Sequence, residues 1–329
     1  MRAVTYSTLG EARDVLTLTE MPTPTPAAGE VLVRLAVSGV NPSDVKSRRG
    51  RPGMTHPPFE TVIPHSDGAG VIEAVGDGVD QARVGQRVWI WNGQWQRPFG
   101  TAATHIALPQ AQAVPLPDDV SFDTAASLGI PGLTAAHAVF NGGDVAGQTL
   151  LIQGGAGTVG YLAVQFAAWA GARVIATTGA SGVERAKSAG AQVVLDYSAS
   201  DLAQQVLDAN GGAPVDQIIE VEFGANIALD AEVIKPNGRI AAYGSAKVME
   251  PTLPFLPLLF KAVTIDIILV YLLTEAERAL AIKKTHQALA EGALHCPVEQ
   301  TFALSDTVKA HEAVEAGARA GAILINCEG

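Results

Sequence analysis

The segment from Leu150 to Gly171 restricts the possible folds of this chain more than any other stretch. It opens with a short apolar run between glycines, which is typical of a buried strand. Next come Gly155, Gly157 and Gly160 in the spacing G-x-G-x-x-G, and then apolar residues that recur at helical intervals. We expect the first glycine to turn the chain out of the strand, the second to admit a pyrophosphate and the third to let helix and strand pack closely. Strand, glycines and helix together predict a dinucleotide-binding turn, in which the helix N-terminus holds the phosphates.

The end of the second strand indicates which nucleotide binds. NAD sites usually carry an Asp or Glu about 20 residues after the glycines, where it binds the ribose hydroxyls. Here the strand pattern 172–178 runs into Gly179 and Ser181 without a carboxylate. The hydroxyls of Thr178 and Ser181 and the guanidinium of Arg185 would instead accept a 2′-phosphate, although Arg185 could also be a solvated helix residue. The sequence therefore predicts NADP(H).

Further cofactor contacts are expected at the carboxyl ends of the strands, where ligands of open α/β sheets bind. The full set predicted from the pattern is Gly155, Ala156, Gly157, Thr158 and Val159 in the turn, Thr178, Gly179, Ser181 and Arg185 after the second strand, and Gly244 and Ser245 after a later one.

Composition excludes several other classes of protein. The 329 residues suffice for two domains, and a net charge of −11 argues against nucleic acid or an anionic membrane surface as a partner. Two cysteines, Cys296 and Cys327, are too few for a disulfide framework or a four-thiolate zinc lobe. The most apolar stretch, 253–273, is interrupted by prolines and charges, and no signal peptide follows Met1. We therefore expect a cytoplasmic protein with no membrane span.

The pattern of elements divides the chain into three segments. Residues 1–122 carry short strand patterns separated by turn signals, which favour a barrel-like β-rich domain. Residues 123–266 alternate helices with apolar strands, which predicts a doubly wound parallel sheet, and residues 267–329 return to the first domain. The later predicted strands are Val193–Leu195, Val215–Val221 and Arg239–Tyr243. The predicted fold class is α/β.

Several motifs together resemble one protein family. They are Gly39–Asp44, Ser66–Val71, Ala125–Ala135, the glycine turn, and Ala310–Glu312 with Gly317 and Gly321. In these the chain is similar to the medium-chain dehydrogenase/reductase superfamily, in its zinc-independent quinone oxidoreductase (zeta-crystallin-like) branch. The resemblance covers nearly the whole chain. It implies a GroES-like catalytic domain, a Rossmann domain that binds NADPH, a cleft between them and a homodimer.

The triplet His65-Ser66-Asp67 indicates whether a catalytic zinc site is expected. In the zinc alcohol dehydrogenases of this superfamily, Gly-His-Glu stands at this place and a cysteine stands at Val40 or Asn41. Ser66 replaces the histidine, and His65 is one residue off, which in a strand places a side chain on the other face. Catalytic zinc needs three protein ligands, so we predict no metal site. Hydride transfer to a quinone or another conjugated carbonyl is then the expected chemistry. Reduction of an activated alkene is the alternative. A zinc alcohol dehydrogenase and a non-catalytic NADPH-binding protein are less favoured hypotheses.

The resemblance places Asn41 beside the nicotinamide and the substrate. Its amide could donate to the acceptor oxygen, where negative charge develops, or to a ribose hydroxyl, so Asn41 is also expected to bind the cofactor. Asn41-Pro42 could instead be a turn that ends a strand. Lys46 resembles the lysine of alkenal-reducing relatives and could bind the substrate carbonyl or the ribose, or face solvent. We expect Asn41 and Lys46 to be the catalytic residues, with Asp44 orienting its neighbours.

Two further cofactor contacts and the dimer interface also follow from the resemblance. Thr134 is expected near the nicotinamide and Tyr197 near the 2′-phosphate or adenine. Thr134 could instead bond its own helix backbone, and Tyr197 could be an ordinary aromatic at a strand end. The run from Thr264 to Leu273 resembles an edge strand that pairs across a dimer axis, although it could be an internal strand.

Overall fold

The computed structural model describes residues 1–50, 53–317 and 319–328, and it forms two compact units. The first unit comprises Met1–Ile130 and Cys296–Gly329, and the second comprises Pro131–His295. Along the chain, the boundaries between the units thus lie at 130/131 and 295/296. The sequence pattern predicts domain boundaries at 122/123 and 266/267. The C-terminal limit lies later because the helix before the parallel sheet packs on the helix after it, where the Lys284 ammonium lies 4.9 Å from the centre of the Phe140 ring.

The strands alternate with helices in the middle of the chain and follow one another at its start. In chain order they are β1 (Arg2–Thr5), β2 (Thr17–Glu20), β3 (Glu30–Val40), β4 (Asp67–Val75), β5 (Arg87–Ile90), β6 (His105–Pro109), β7 (Ala113–Pro115), β8 (Thr149–Ile152), β9 (Arg173–Thr178), β10 (Val193–Asp196), β11 (Val215–Glu220), β12 (Ile234–Ala242), β13 (Thr264–Ile267), β14 (Val298–Ala303) and β15 (Ala322–Asn326).

The α-helices are mostly short. They are α1 (Ala12–Val15), α2 (Pro42–Arg49), α3 (Phe122–Ala125), α4 (Leu133–Phe140), α5 (Thr158–Trp169), α6 (Val183–Ser188), α7 (Leu202–Ala209), α8 (Phe223–Val233), α9 (Phe255–Phe260), α10 (Glu275–Ala290) and α11 (Thr307–Ala316). A π-helical turn at Leu128–Gly132, which contains Pro131, leads into α4. Within the described ranges, no helix combines the length and the apolar character that crossing a membrane requires.

The second unit is built on a six-stranded parallel sheet. Its strand order is β10-β9-β8-β11-β12-β13, and every neighbouring pair is parallel. All four residues of β8 are buried, because helices cover both faces of such a sheet. The order reverses between β8 and β11, which is the topological switch point where dinucleotides bind in doubly wound folds. The predicted doubly wound parallel sheet is confirmed.

The first unit is the β-rich one. Its main sheet has the order β14-β15-β3-β4-β5-β7, with β6 also paired to β3, and it is antiparallel except for β14 with β15. β1 and β2 form a separate antiparallel ribbon. The core of the unit contains fully buried aliphatic side chains from several strands, such as Val33, Ile72, Val88 and Ile325. Because β15 pairs with β3, the C-terminal segment completes the sheet that the N-terminal segment begins.

Candidate active site

The glycine turn lies between β8 and α5, as the sequence predicts. The turn out of the strand is made by Gly154, with φ of 68°, and not by Gly155 as expected from the motif. A side chain on Gly155 would meet Ala176 at 2.8 Å, and one on Gly160 would lie 2.2 Å from the Gly154 carbonyl oxygen. The glycines therefore let α5 approach β8 and β9 closely, which brings the helix N-terminus to the switch point.

The N-terminus of α5 is open to a ligand. Gly157 precedes the helix in an extended conformation and is exposed, while Ala156, Thr158 and Val159 are partly exposed. A side chain on Gly157 would meet only the Gly154 carbonyl oxygen, at 3.3 Å. Backbone N–H groups of the first helical turn lack intrahelical partners, and the helix dipole is positive here. The turn fits a pyrophosphate.

The end of β9 places hydroxyls and a cation beside the turn. Thr178 ends the strand and is buried, whereas Ser181 is exposed in the connection to α6. The Nε of Arg185 donates to the Ala156 carbonyl oxygen at 2.8 Å, and its guanidinium lies 4.2 Å from the centre of the Tyr161 ring. Arg185 is therefore part of the wall of the turn. No carboxylate stands at the end of β9, which fits a phosphorylated ribose.

Tyr197 follows β10 and lies beside the same region. Its side chain is 58% exposed, and its Cε1 is 3.3 Å from where a Cβ on Gly179 would stand. The Lys247 ammonium lies 5.7 Å from the centre of the Tyr197 ring. Sequence reasoning missed Lys247. It comes three residues after Gly244, so a search for cations following each predicted strand would have found it.

The other residues predicted to contact the cofactor in the second unit are Thr134, Gly244 and Ser245. The Ser245 hydroxyl accepts the Gly224 N–H at 2.8 Å and donates to the Val248 carbonyl oxygen at 2.6 Å. Gly244 follows β12, and a side chain there would meet the Val221 carbonyl oxygen at 2.5 Å. Thr134 lies in the first turn of α4 and is buried. Ser245 thus shapes the loop after β12.

A buried polar cluster in the first unit contains Asn41. The Asn41 amide donates to Asp67 at 2.8 Å, and the other oxygen of Asp67 accepts the Ile130 N–H at 2.8 Å. The Asn41 backbone N–H donates to Asp44 at 2.8 Å. Burial raises the pKa of Asp44 to about 7 and raises that of Asp67 well above its ordinary value, with the Asp44 charge adding to the effect. The carboxyls fix both the backbone and the side chain of Asn41.

His65 is turned away from this cluster. Its backbone is left-handed, with φ of 77°, and its Nε2 lies 2.8 Å from the Nε2 of His311. Its Nδ1 lies 2.9 Å from the Ser38 hydroxyl. Burial lowers the pKa of His65 to about 3, so the ring is neutral at physiological pH. Among the residues that the structure describes, no three His, Cys, Asp or Glu side chains are grouped to hold a metal ion.

Lys46 and Arg48 share α2 but have different surroundings. Lys46 is exposed. Arg48 is fully buried, and it donates to Glu315 at 2.7 Å and to the Gly10 carbonyl oxygen at 2.5 Å. Lys46 is therefore accessible to a ligand, whereas Arg48 is not. Of the predicted catalytic and cofactor-binding residues, Asn41 and Lys46 lie in the first unit and the others lie in the second.

Comparison with known proteins identifies the family. A family model described as "Alcohol dehydrogenase GroES-like domain" matches residues 27–118, and one described as "Zinc-binding dehydrogenase" matches residues 158–285. The quinone oxidoreductase of Rattus norvegicus is 30% identical over 246 residues, which cover 74% of this chain and 73% of that protein. The chain belongs to the quinone oxidoreductase branch of the medium-chain dehydrogenase/reductase superfamily. A GroES-like domain lies in its β-rich unit, and a Rossmann domain lies in its parallel-sheet unit.

Other proteins that are similar to this chain differ in size and in the activity for which they are named. One component of the phenolphthiocerol/phthiocerol polyketide synthase of Mycobacterium tuberculosis is 29% identical over 320 residues, which are 95% of this chain but only 14% of that protein. A native mycobacterial structure complexed with NADPH has 28% identity and a TM-score of 0.86, over 99% of this chain and 100% of that one. A 2-haloacrylate reductase has 26% identity and a TM-score of 0.86, over the full length of both chains.

Proposed function

We propose that this protein is an NADPH-dependent reductase that transfers hydride to a quinone or another conjugated carbonyl without a metal. The observation that carries the proposal is that the side chains of His65 and Asp67 already have hydrogen-bond partners within the protein. The His65 ring pairs with His311, and the Asp67 carboxyl is occupied by Asn41 and Ile130. A zinc ion would need these donors to converge, and without a Lewis acid an alcohol is hard to polarise for oxidation. An acceptor that is already electrophilic needs no such help.

The residues around the glycine turn bind the cofactor in this proposal. The N–H groups at Gly157–Val159 hold the pyrophosphate, and Thr178, Ser181 and Arg185 hold the 2′-phosphate. Tyr197 and Lys247 lie beside this phosphate site, while Thr134, Gly244 and Ser245 border the cofactor further along. NADPH, when bound, supplies the hydride. The mycobacterial structure complexed with NADPH supports this cofactor.

Asn41 stabilises the charge that develops on the acceptor oxygen. One N–H of its amide is held by Asp67, which fixes the direction of the other N–H. A preorganised donor of this kind lowers the barrier to hydride transfer, because it is in place before the charge forms. We propose Lys46 as a second donor, and solvent as the source of the proton that completes the reduction.

Reduction of an activated C=C bond is the second candidate. The exposed Lys46 favours it, because this residue resembles the lysine of alkenal-reducing relatives. The structural likeness to a 2-haloacrylate reductase is a further reason to consider it. A panel containing both quinones and enones distinguishes the two, since the preferred acceptor will show the higher kcat/KM.

Cofactor choice is tested by fluorescence titration with NADPH and with NADH. We expect wild-type protein to prefer NADPH, and Arg185→Ala to lower the affinity for NADPH roughly tenfold or more while leaving that for NADH little changed, because a charge-assisted hydrogen bond to phosphate is lost. Lys187→Ala is the matched control, since Lys187 is an exposed cation of the same helix that pairs with Glu184. Equal affinity of the wild type for both nucleotides would contradict the proposed phosphate site.

We also propose that the protein is a homodimer formed through β13. Among the described strands, β13 pairs only with β12 and so lies at the edge of the sheet. Large apolar side chains are exposed on β13 and on the preceding helix α9, with Phe260 at 82% and Ile267 at 69%. An open edge with an apolar surface is a surface that a second copy can cover by strand pairing.

A further inference from the structure

Arg185 is held in place by two contacts that the Rossmann domain itself supplies. Its Nε–H donates to the Ala156 carbonyl oxygen at 2.8 Å, and its Cζ lies over the Tyr161 ring, 4.2 Å from the ring centre. The residue is nevertheless partly exposed. Arg185 therefore combines access from solvent with a defined orientation, whereas a fully solvated arginine would exchange among many rotamers.

The Tyr161 ring is fixed to the helix that follows the glycine turn. Tyr161 is the fourth residue of α5, and its backbone N–H donates to the Gly157 carbonyl oxygen at 2.7 Å. It is 6% exposed, so packing holds the ring in one rotamer. The ring therefore keeps a constant position relative to the helix N-terminus, where we place the pyrophosphate of the cofactor.

Gly182 lets the chain between β9 and α6 lie against the glycine turn. A Cβ at this position would stand 2.6 Å from the Ala156 Cβ and would overlap the Thr178 hydroxyl. A side chain there would force one of these segments to move, because packed interiors have little spare room. Gly182 thus allows Arg185, three residues later, to reach both the turn and Tyr161.

The two kinds of interaction use different parts of a guanidinium group. An aromatic ring attracts its flat face, whereas a phosphate is bound by the N–H groups on its edge. Stacking on Tyr161 and binding of a phosphate by Arg185 therefore do not compete. The ring defines the plane of the guanidinium, and the bond to Ala156 defines its rotation within that plane.

An arginine held in this way binds a phosphate more tightly than a mobile one. A mobile side chain loses its rotamer freedom when a ligand immobilises it, and this loss subtracts from the free energy of binding. Tyr161 and Ala156 remove that freedom in advance. NADH lacks the 2′-phosphate, so the ring should favour NADPH and leave the affinity for NADH unchanged.

We propose that Tyr161 is a positioning residue that makes the protein select NADPH over NADH, because it holds Arg185 in the orientation that binds the 2′-phosphate. The inference rests on the role of Arg185 in the proposed cofactor site. Tyr161 acts through Arg185 and does not itself contact the phosphate.

The test is the pair of dissociation constants for NADPH and NADH in variants of Tyr161. Tyr161→Leu should lower the affinity for NADPH about three- to tenfold, the size of one cation–π interaction, and leave that for NADH unchanged. Tyr161→Met should do the same, since its flexible side chain fills the space of the ring if leucine destabilises the fold. Tyr161→Phe keeps the ring and should keep both affinities.

Two comparisons separate this role from a general effect on packing. Phe166→Leu removes another buried ring of α5, one that packs edge-on against Phe140, and should not change the ratio of the two affinities. In an Arg185→Ala background, Tyr161→Leu should have no further effect on NADPH binding, since the residue through which it acts is gone. An equal loss for NADPH and NADH, or a full loss in the Arg185→Ala background, would overturn the inference.

These measurements also distinguish failure of the inference from failure of the proposed cofactor site. A loss of NADPH affinity in Arg185→Ala but in neither Tyr161→Leu nor Tyr161→Met would overturn the positioning role alone. An unchanged NADPH affinity in Arg185→Ala would overturn the phosphate site, and the role of Tyr161 with it.

Nuclear magnetic resonance of the protein without cofactor reports the orientation of Arg185 directly. The side-chain Nε–H signal of Arg185 is assigned by its absence from Arg185→Ala, and its motion is measured by relaxation. We expect a rigid Nε–H in the wild type and in Tyr161→Phe, and a more mobile one in Tyr161→Leu. A mobile Nε–H in the wild type, or an equally rigid one in Tyr161→Leu, would overturn the inference.

Discussion

The ring of His65 is stacked on that of His311, with 5.1 Å between their centres and 25° between their planes. The His311 Nδ1 is buried without a hydrogen-bond partner among the described residues. Both rings are therefore held neutral in a dry environment, and protonating either would place an uncompensated charge in the core. The pair joins α11 to the segment before β4 and so connects the C-terminal part of the GroES-like domain to its N-terminal part.

This pair should make the protein sensitive to acid. Burial lowers the pKa of His65 from 6.5 to about 3 and that of His311 well below 6.5. Between these values the unfolded chain binds more protons, so stability is complete above about pH 6.5 and falls as the pH drops toward 3. Urea unfolding at a series of pH values should show this loss, and His311→Gln should show a shallower one. His56→Gln, at an exposed ring, is the control. An unchanged slope in His311→Gln would contradict the account.

The Asn41 amide should contribute to kcat and not to the affinity for NADPH. Asn41→Ala should lower kcat about 100-fold, because a preorganised donor to the developing charge is removed, while the dissociation constant of NADPH stays near that of the wild type. Steady-state kinetics with a quinone and fluorescence titration measure the two quantities. Asn141→Ala, at an exposed position after α4, should affect neither. A normal turnover number in Asn41→Ala would remove this residue from the mechanism.

The turn between β8 and α5 contains two glycines, Gly157 and Gly160, whose replacement by alanine should affect stability differently. Gly160→Ala puts a Cβ 2.2 Å from the Gly154 carbonyl oxygen, so α5 must shift, and we expect a loss of about 1–3 kcal/mol in stability together with weaker NADPH binding. Gly157→Ala leaves 3.3 Å to that same oxygen, so its stability should be near normal while the added methyl obstructs the pyrophosphate. Chemical denaturation and NADPH titration measure both effects. Equal stability losses in the two variants would contradict this assignment.

The glycine turn was predictable from the sequence because its strand, glycines and helix are contiguous in the chain. What could not be predicted was which glycine takes the left-handed conformation, since the motif points to Gly155 and the structure shows Gly154. The role of Arg185 in holding the Ala156 carbonyl was also missed, because an arginine on a short helix gives no sign of its direction.

Long-range pairs account for most of what the sequence could not show. The Asn41 amide meets Asp67 across 26 positions, and His65 meets His311 across 246. No local period or spacing links such residues. The pairing of β3 with β4 brings Asn41 to Asp67, and the pairing of β15 with β3 returns the C-terminal segment that contains His311.

For the whole molecule, the exposed edge of the Rossmann sheet predicts the oligomeric state. Phe260→Glu introduces a charge into the apolar surface of α9 and β13, so the dimer should dissociate and elute at the mass of one chain. Size-exclusion chromatography with light scattering makes the measurement. Leu18→Glu, at an exposed apolar position in the other domain, should elute like the wild type. A wild-type protein that is monomeric at micromolar concentration would contradict the proposed interface.

The oxidation of NADPH by zinc-free protein shows whether a conjugated carbonyl is reduced here without a metal. Protein treated with a chelator, with its zinc content determined by elemental analysis, is mixed with NADPH and a series of quinones and enones, and the oxidation of NADPH is followed by absorbance. We predict rapid NADPH oxidation by at least one of these acceptors in zinc-free protein, with no increase when zinc is added. Activity that appears only with stoichiometric zinc, or NADPH that is bound but oxidised by none of these acceptors, would contradict the account.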